Sequence, residues 1–128
     1  MPIIDHHQAP EVPWRPGYRK WDIAGAAQGV TSTFNISTAR TGAGAPIHTH
    51  NVDEIIVVME GALEVSIAGE TYTVGKDHTV VVPPGVAHGF KIVSAQDARI
   101  MVFFPALDPY SEKHTHYMEG SRPPSVKA

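Results

Sequence analysis

The chain has 128 residues, with 13 acidic and 10 basic side chains for a formal net charge of −3, and 0 Cys. This size suits one domain with a core of its own. The lack of cysteine excludes a disulfide framework and any thiolate metal site, and without a basic run there is no signature of a nucleic-acid or anionic-membrane partner.

Nothing approaches the ~20 apolar residues of a membrane span. The opening MPIIDHHQAP lacks the basic start and apolar middle of a signal peptide, so a soluble, cytoplasmic protein is expected. Residues 1–30 read as an extended N-terminal arm: Pro2, Pro10, Pro13 and Pro16 oppose a helix, while Trp14 and Trp21 need a surface to cover. Thr31–Arg40, rich in Thr, Ile and Phe with Phe34 and Ile36 in phase, predicts a strand. TGAGAP over 41–46 predicts a turn. Short strands are then expected near Ile47–Thr49, Glu54–Glu60, Ala62–Ala68, Thr71–Val74, Thr79–Val82, Gly89–Val93 and Ala98–Phe104, punctuated by Gly61, Gly69, Gly75 and Pro83-Pro84-Gly85. Such spacing means an all-β barrel or sandwich over 31–104. The tail, 105–128, is polar and Pro-rich, with no strand expected. Pro-rich ends without helix or strand pattern, an aromatic arm and exposed strand edges together suggest an arm laid along a barrel, its own or the partner's, in a two-fold homodimer.

Of the 8 histidines, His48 and His50 are two apart on a strand and so project to one face. Asn51, Val52 and Asp53 can turn the chain, and Glu54 opens the next strand beside the imidazole pair. Gly42, His48, His50, Glu54 and Gly61 match every fixed position of the first motif of the cupin superfamily, and Pro83, Gly85 and His88 match the core of its second; the chain resembles that superfamily from about Thr31 to Phe104. Asp77 stands where that pattern often carries Gly, and Ile92 where it often carries Asn. The resemblance implies a single-domain cupin-type β-barrel (double-stranded β-helix, or jelly roll) with one divalent metal ion per chain on His48, His50, Glu54 and His88. Three imidazoles and a carboxylate suit Fe, Mn, Ni, Zn or Cu better than Mg or Ca.

Strand parity puts Ile56 and Val58 on the cavity side with Glu54, and Phe90 and Ile92 there with His88. These four are the candidate substrate-binding residues of a mainly apolar cavity. Arg40, Arg99 and Tyr72 are candidates for a polar substrate. His114-Thr115-His116 repeats the ligand tripeptide without a following Glu and is expected at the surface, as are His6, His7 and His78.

Four protein ligands leave room on an octahedral ion for a substrate, which points to a metal-dependent enzyme acting on a small organic molecule. The best single reading is an O2-dependent dioxygenase, an oxidoreductase whose substrate chelates the metal through adjacent oxygens, with Glu54 loosening to act as general base. The same residues leave open a non-redox isomerase, lyase or cyclase, and a binding module without turnover, because the fold alone does not choose.

Overall fold

In the computed structural model, which describes residues 3–126, the predicted strands all form and three further ones join them. In chain order they are β1 (Glu11–Arg15), β2 (Tyr18–Ala24), β3 (Thr33–Ala39), β4 (Gly44–His50), β5 (Glu54–Glu60), β6 (Ala62–Ile67), β7 (Glu70–Gly75), β8 (His78–Val82), β9 (His88–Ile92), β10 (Ala98–Phe104) and β11 (Thr115–Tyr117). Helix among the described residues is limited to two single 3-10 turns, His6–Gln8 and Ala26–Gln28. No described helix is long and apolar enough to cross a membrane.

The strands make two antiparallel sheets, β1-β2-β3-β10-β5-β8 and β11-β4-β9-β6-β7. Alternation explains why they face each other. In β5 and β10 every second residue is buried, and the register places Val102 against Ile56 and Ile100 against Val58. These side chains meet Leu63, Val65 and Ile92 of the second sheet in one apolar core, the arrangement of a jelly roll.

Two expectations are corrected, and the extended arm gains detail: β1 and β2 form a hairpin through Gly17, and β2 pairs with this chain's own β3 from Tyr18↔Ala39 to Asp22↔Asn35. The expected turn at 41–46 is cut short, because β4 starts at Gly44 and tolerates Pro46 at a register shift between Ala45 and His48, where a missing N–H costs no ladder bond. The tail contributes β11, which pairs with β4 as Thr115↔His50, His116↔Thr49 and Tyr117↔His48. Asp77, the departure noted in the sequence, adopts φ +66°, a left-handed conformation that Asp tolerates better than most residues.

Candidate metal centre

His48 and His50 sit two apart on β4 and are both buried. The register sets His48 directly against His88 on β9. The bend at Asn51–Asp53 then carries the chain to the other sheet, where Glu54 begins β5. One ligand atom from each of His48, His50, Glu54 and His88 lies within 4.8 Å of all the others, and all four residues are buried. The sequence-predicted quartet therefore converges.

The hydrogen bonds decide which ring nitrogens face the centre. His48 Nδ1 lies 2.6 Å from the Pro46 carbonyl and His88 Nδ1 2.9 Å from the Val86 carbonyl. Carbonyl oxygens only accept, so both Nδ1 atoms carry the proton. The third lock is a relay. Thr115 Oγ1 donates to the Pro109 carbonyl at 2.6 Å, which leaves the hydroxyl free to accept from His50 Nδ1 at 2.8 Å. All three rings are thus turned with Nε2 inward.

Burial and His88 push the His48 imidazole down to about 4, so it is neutral over the physiological range. His50 Nε2 is buried and has no hydrogen-bond partner, although Glu54 Oε1 lies 3.3 Å away. A buried ring nitrogen without a hydrogen bond of good geometry, set among two further imidazoles and a carboxylate, is what a metal ligand presents before loading. His88 Nε2 is 2.7 Å from the same Glu54 oxygen. Burial lowers the His88 pKa, but the Glu54 carboxylate outweighs it and the net shift is upward. Burial likewise raises the Glu54 pKa, but His50 and His88 outweigh it and hold the carboxyl at about 2. Three inward nitrogens and an ionised carboxylate, with no sulfur, fit a transition metal ion of the Fe, Mn, Ni, Zn or Cu group.

The remaining candidates divide. Ile56, Val58 and Ile92 are 1% exposed and Phe90 is half-buried; all four belong to or pack on the core between the sheets. Arg40 and Tyr72 are exposed, and Arg99 alternates out of step with the buried Ala98 and Ile100; the structure brings none of them to the quartet. Tyr72 instead donates to Glu70 at 2.6 Å. His6, His7, His78 and His116 are exposed, while His114 is half-buried, its Nδ1 2.7 Å from Asn51 Oδ1.

Sequence reasoning missed two features. Thr115, in the tail, orients His50. The interior is also less apolar than expected: Asn35 and Ser37 are wholly buried, and so, nearly, is Lys20, held by Asp22 at 2.8 Å beside the Trp14 and Tyr110 rings. Polar residues at every second position of a predicted strand were the available signal.

Comparison with known proteins follows the same lines. CurC of Streptomyces cyaneus, described as a polyketide synthase, is 32% identical over 83 residues, covering 63% of this chain and 54% of that protein. The chain spans about half the length of the curated relatives it matches. Among solved structures, the polyketide cyclase RemF from Streptomyces resistomycificus superposes with a TM-score of 0.77 at 19% identity, covering 98% of this chain and 90% of that one. KdgF from Halomonas sp. gives 0.73 at 23% identity, covering 84% and 96%. At these identities the two structures speak for the fold. The cupin domain profile matches residues 35–104, more than half of the chain and the whole stretch from β3 to β10, and by that match the chain belongs to the cupin family.

Proposed function

We propose that the protein is a metal-dependent enzyme that acts without redox change on a small enolisable molecule, closing it into a ring as a cyclase does. The observation that carries the metal-dependent part is the buried quartet with all three Nδ1 atoms already bound and all three Nε2 atoms inward. Support for ring closure comes from RemF, a polyketide cyclase that matches nearly the whole chain, and CurC, described as a polyketide synthase, supports the same enolisable class of substrate.

One ion per chain would be held by Nε2 of His48, His50 and His88 and an oxygen of Glu54, and would supply Lewis acidity to a substrate carbonyl oxygen. The protein's own groups do the rest. Ile56, Val58, Phe90 and Ile92 form an apolar wall that keeps bulk water from a reactive enolate. Glu54 at about 2 is a poor base while it faces His50 and His88. Loosened from the ion and from both imidazoles it would lose the partners that hold its pKa down, while burial raises it, and could then take a proton from the carbon between two carbonyls.

The test uses a linear 1,3,5-triketone with zinc-loaded, iron(II)-loaded and metal-stripped protein, each with and without O2. The reading expects the same cyclised, dehydrated product from loaded protein in both atmospheres and none from stripped protein. O2 consumption in step with product would replace it with the dioxygenase reading. Saturable binding with no product would replace it with a binding module.

A further inference from the structure

The interior face of the first sheet carries a polar column that the metal centre does not use. On β3, Asn35 faces inward level with Val102 and Ile56, and Ser37 level with Ile100 and Val58. Its neighbours at those levels are apolar core, yet both residues are fully buried. Asn35 Nδ2 donates to the Tyr110 hydroxyl at 3.0 Å, while Asn35 Oδ1 is buried with no hydrogen-bond partner. Ser37 Oγ, two residues along, is likewise without a bond of good geometry, although the Tyr18 hydroxyl is beside it. Turning the Asn35 amide end for end does not help, because the freed nitrogen then lacks an acceptor. A buried amide oxygen without a donor is costly and rare in a finished core.

The position of the pair matters. Tyr110 packs edge-on against Trp14 and Phe104, with ring centroids 4.7 and 5.1 Å away, and its centroid is 6.4 Å from that of His50. It also lines a groove of about 940 Å³ between arm and tail. Asp22, cross-strand from Asn35, and Thr33, two residues before it, line the same groove. Asn35 therefore stands just behind the groove floor. It lies two strand spacings from β5, the strand of Glu54, roughly 10 Å across the sheet. Tyr110 sits in the stretch between β10 and β11, outside the sheet pairing, and forms the part of this wall that faces the groove.

We infer that Asn35 and Tyr110 form a ligand-reading pair for a hydroxyl adjacent to a carbonyl, the unit presented by an enolised β-dicarbonyl or a peri-hydroxyketone. Asn35 Oδ1 accepts from the ligand hydroxyl. The Tyr110 hydroxyl, having accepted from Asn35, gives its own proton to the ligand carbonyl. Bridging that separation from the strand of Glu54 takes a ligand of about three fused rings, one end toward the metal centre and the other at the pair. This inference rests on the enolisable-ligand reading above and adds the residues that select for it.

The experiment measures quenching of tryptophan fluorescence by 1,8-dihydroxyanthraquinone and by anthraquinone, which has the carbonyls without the hydroxyls. Wild type, Asn35→Leu and Tyr110→Phe are compared, each zinc-loaded and with zinc content determined. The dihydroxy compound should bind wild type, and each variant should weaken it by about tenfold at unchanged zinc content, with anthraquinone binding weak and indifferent to either change. If both variants bind the dihydroxy compound as wild type does, the free oxygen belongs to a trapped water; the pair is overturned and the metal centre stands. If wild type binds neither compound, the ligand class and the pair fall together, while zinc uptake still reports on the quartet alone. Should Asn35→Leu fail to fold, Tyr110→Phe, which removes one oxygen, decides the matter.

Discussion

At the scale of single residues, orientation of the donors matters as much as their identity. Thr115 bonds His50 Nδ1 and the Pro109 carbonyl at once. Thr115→Val keeps the shape and removes both bonds, leaving a buried N–H unpaired. Metal affinity should fall about 10–100-fold while the fold persists, and Thr115→Ser should recover most of it; titration against a competing chelator measures both. Protons are the second residue-scale signal. His48 is neutral above about pH 4 and gives up no proton to an incoming metal ion near neutrality. His88 has a raised pKa through Glu54, so metal-free protein holds a proton on His88 Nε2 that the ion must displace. Affinity should therefore rise with pH through the ordinary histidine value of about 6.5 and beyond it, with proton release visible by calorimetry in buffers of different ionisation enthalpy. An affinity independent of pH over that range would show that His88 is not protonated at the centre.

At the scale of elements, β4 holds the site together, since it carries two ligands and pairs on one side with β9, which carries His88, and on the other with β11, which carries Thr115. Gly44 lets it close on β9: a Cβ there would lie 1.9 Å from the Phe90 carbonyl oxygen. Because the obstacle is backbone, Gly44→Ala should force the strands apart, lower stability by about 1–3 kcal/mol and weaken metal binding by spoiling the His48↔His88 register; a melting curve and a zinc titration on the same sample check both effects. The elements also show what could be read from the sequence. His48, His50 and Glu54 were legible because a strand's period of two and a short bend are local rules. His88 was legible through the resemblance, as the histidine that closes the Pro-x-Gly-x-x-His core of the second motif. β11 was not, since three residues in a Pro-rich tail show no periodicity and their pairing with β4 is long-range. The inward polar column was hidden because both faces of β3 are covered: Ile36 is 2% exposed and Asn35 0%, so the in-phase Phe34 and Ile36 gave no hint that the alternate residues face the interior.

At the scale of the whole molecule, both ends of the chain serve the barrel. The arm covers β3, and the tail covers the free edge of β4, with the Asn51 backbone N–H donating to the His114 carbonyl at 3.1 Å and the Asn51 side chain to the Lys113 carbonyl at 2.9 Å. Trp14 and Tyr18 find their burial inside the chain, against Tyr110 and Phe90, while the edge strand β8, with Val81 62% exposed, offers a surface for a second copy. Light scattering at micromolar concentration should show a dimer that survives removal of residues 1–10; a monomer would contradict it. The central claim, that His48, His50, Glu54 and His88 hold a metal ion, is tested most directly by metal analysis of protein purified without added metal and after reconstitution with Zn, Fe(II), Mn, Ni and Cu, alongside His50→Ala. The account predicts about one transition metal ion per chain in wild type and near none in His50→Ala, with the β-sheet circular dichroism of both alike. Equal metal content in the two proteins, or a wild type that takes up none of these ions, would contradict it.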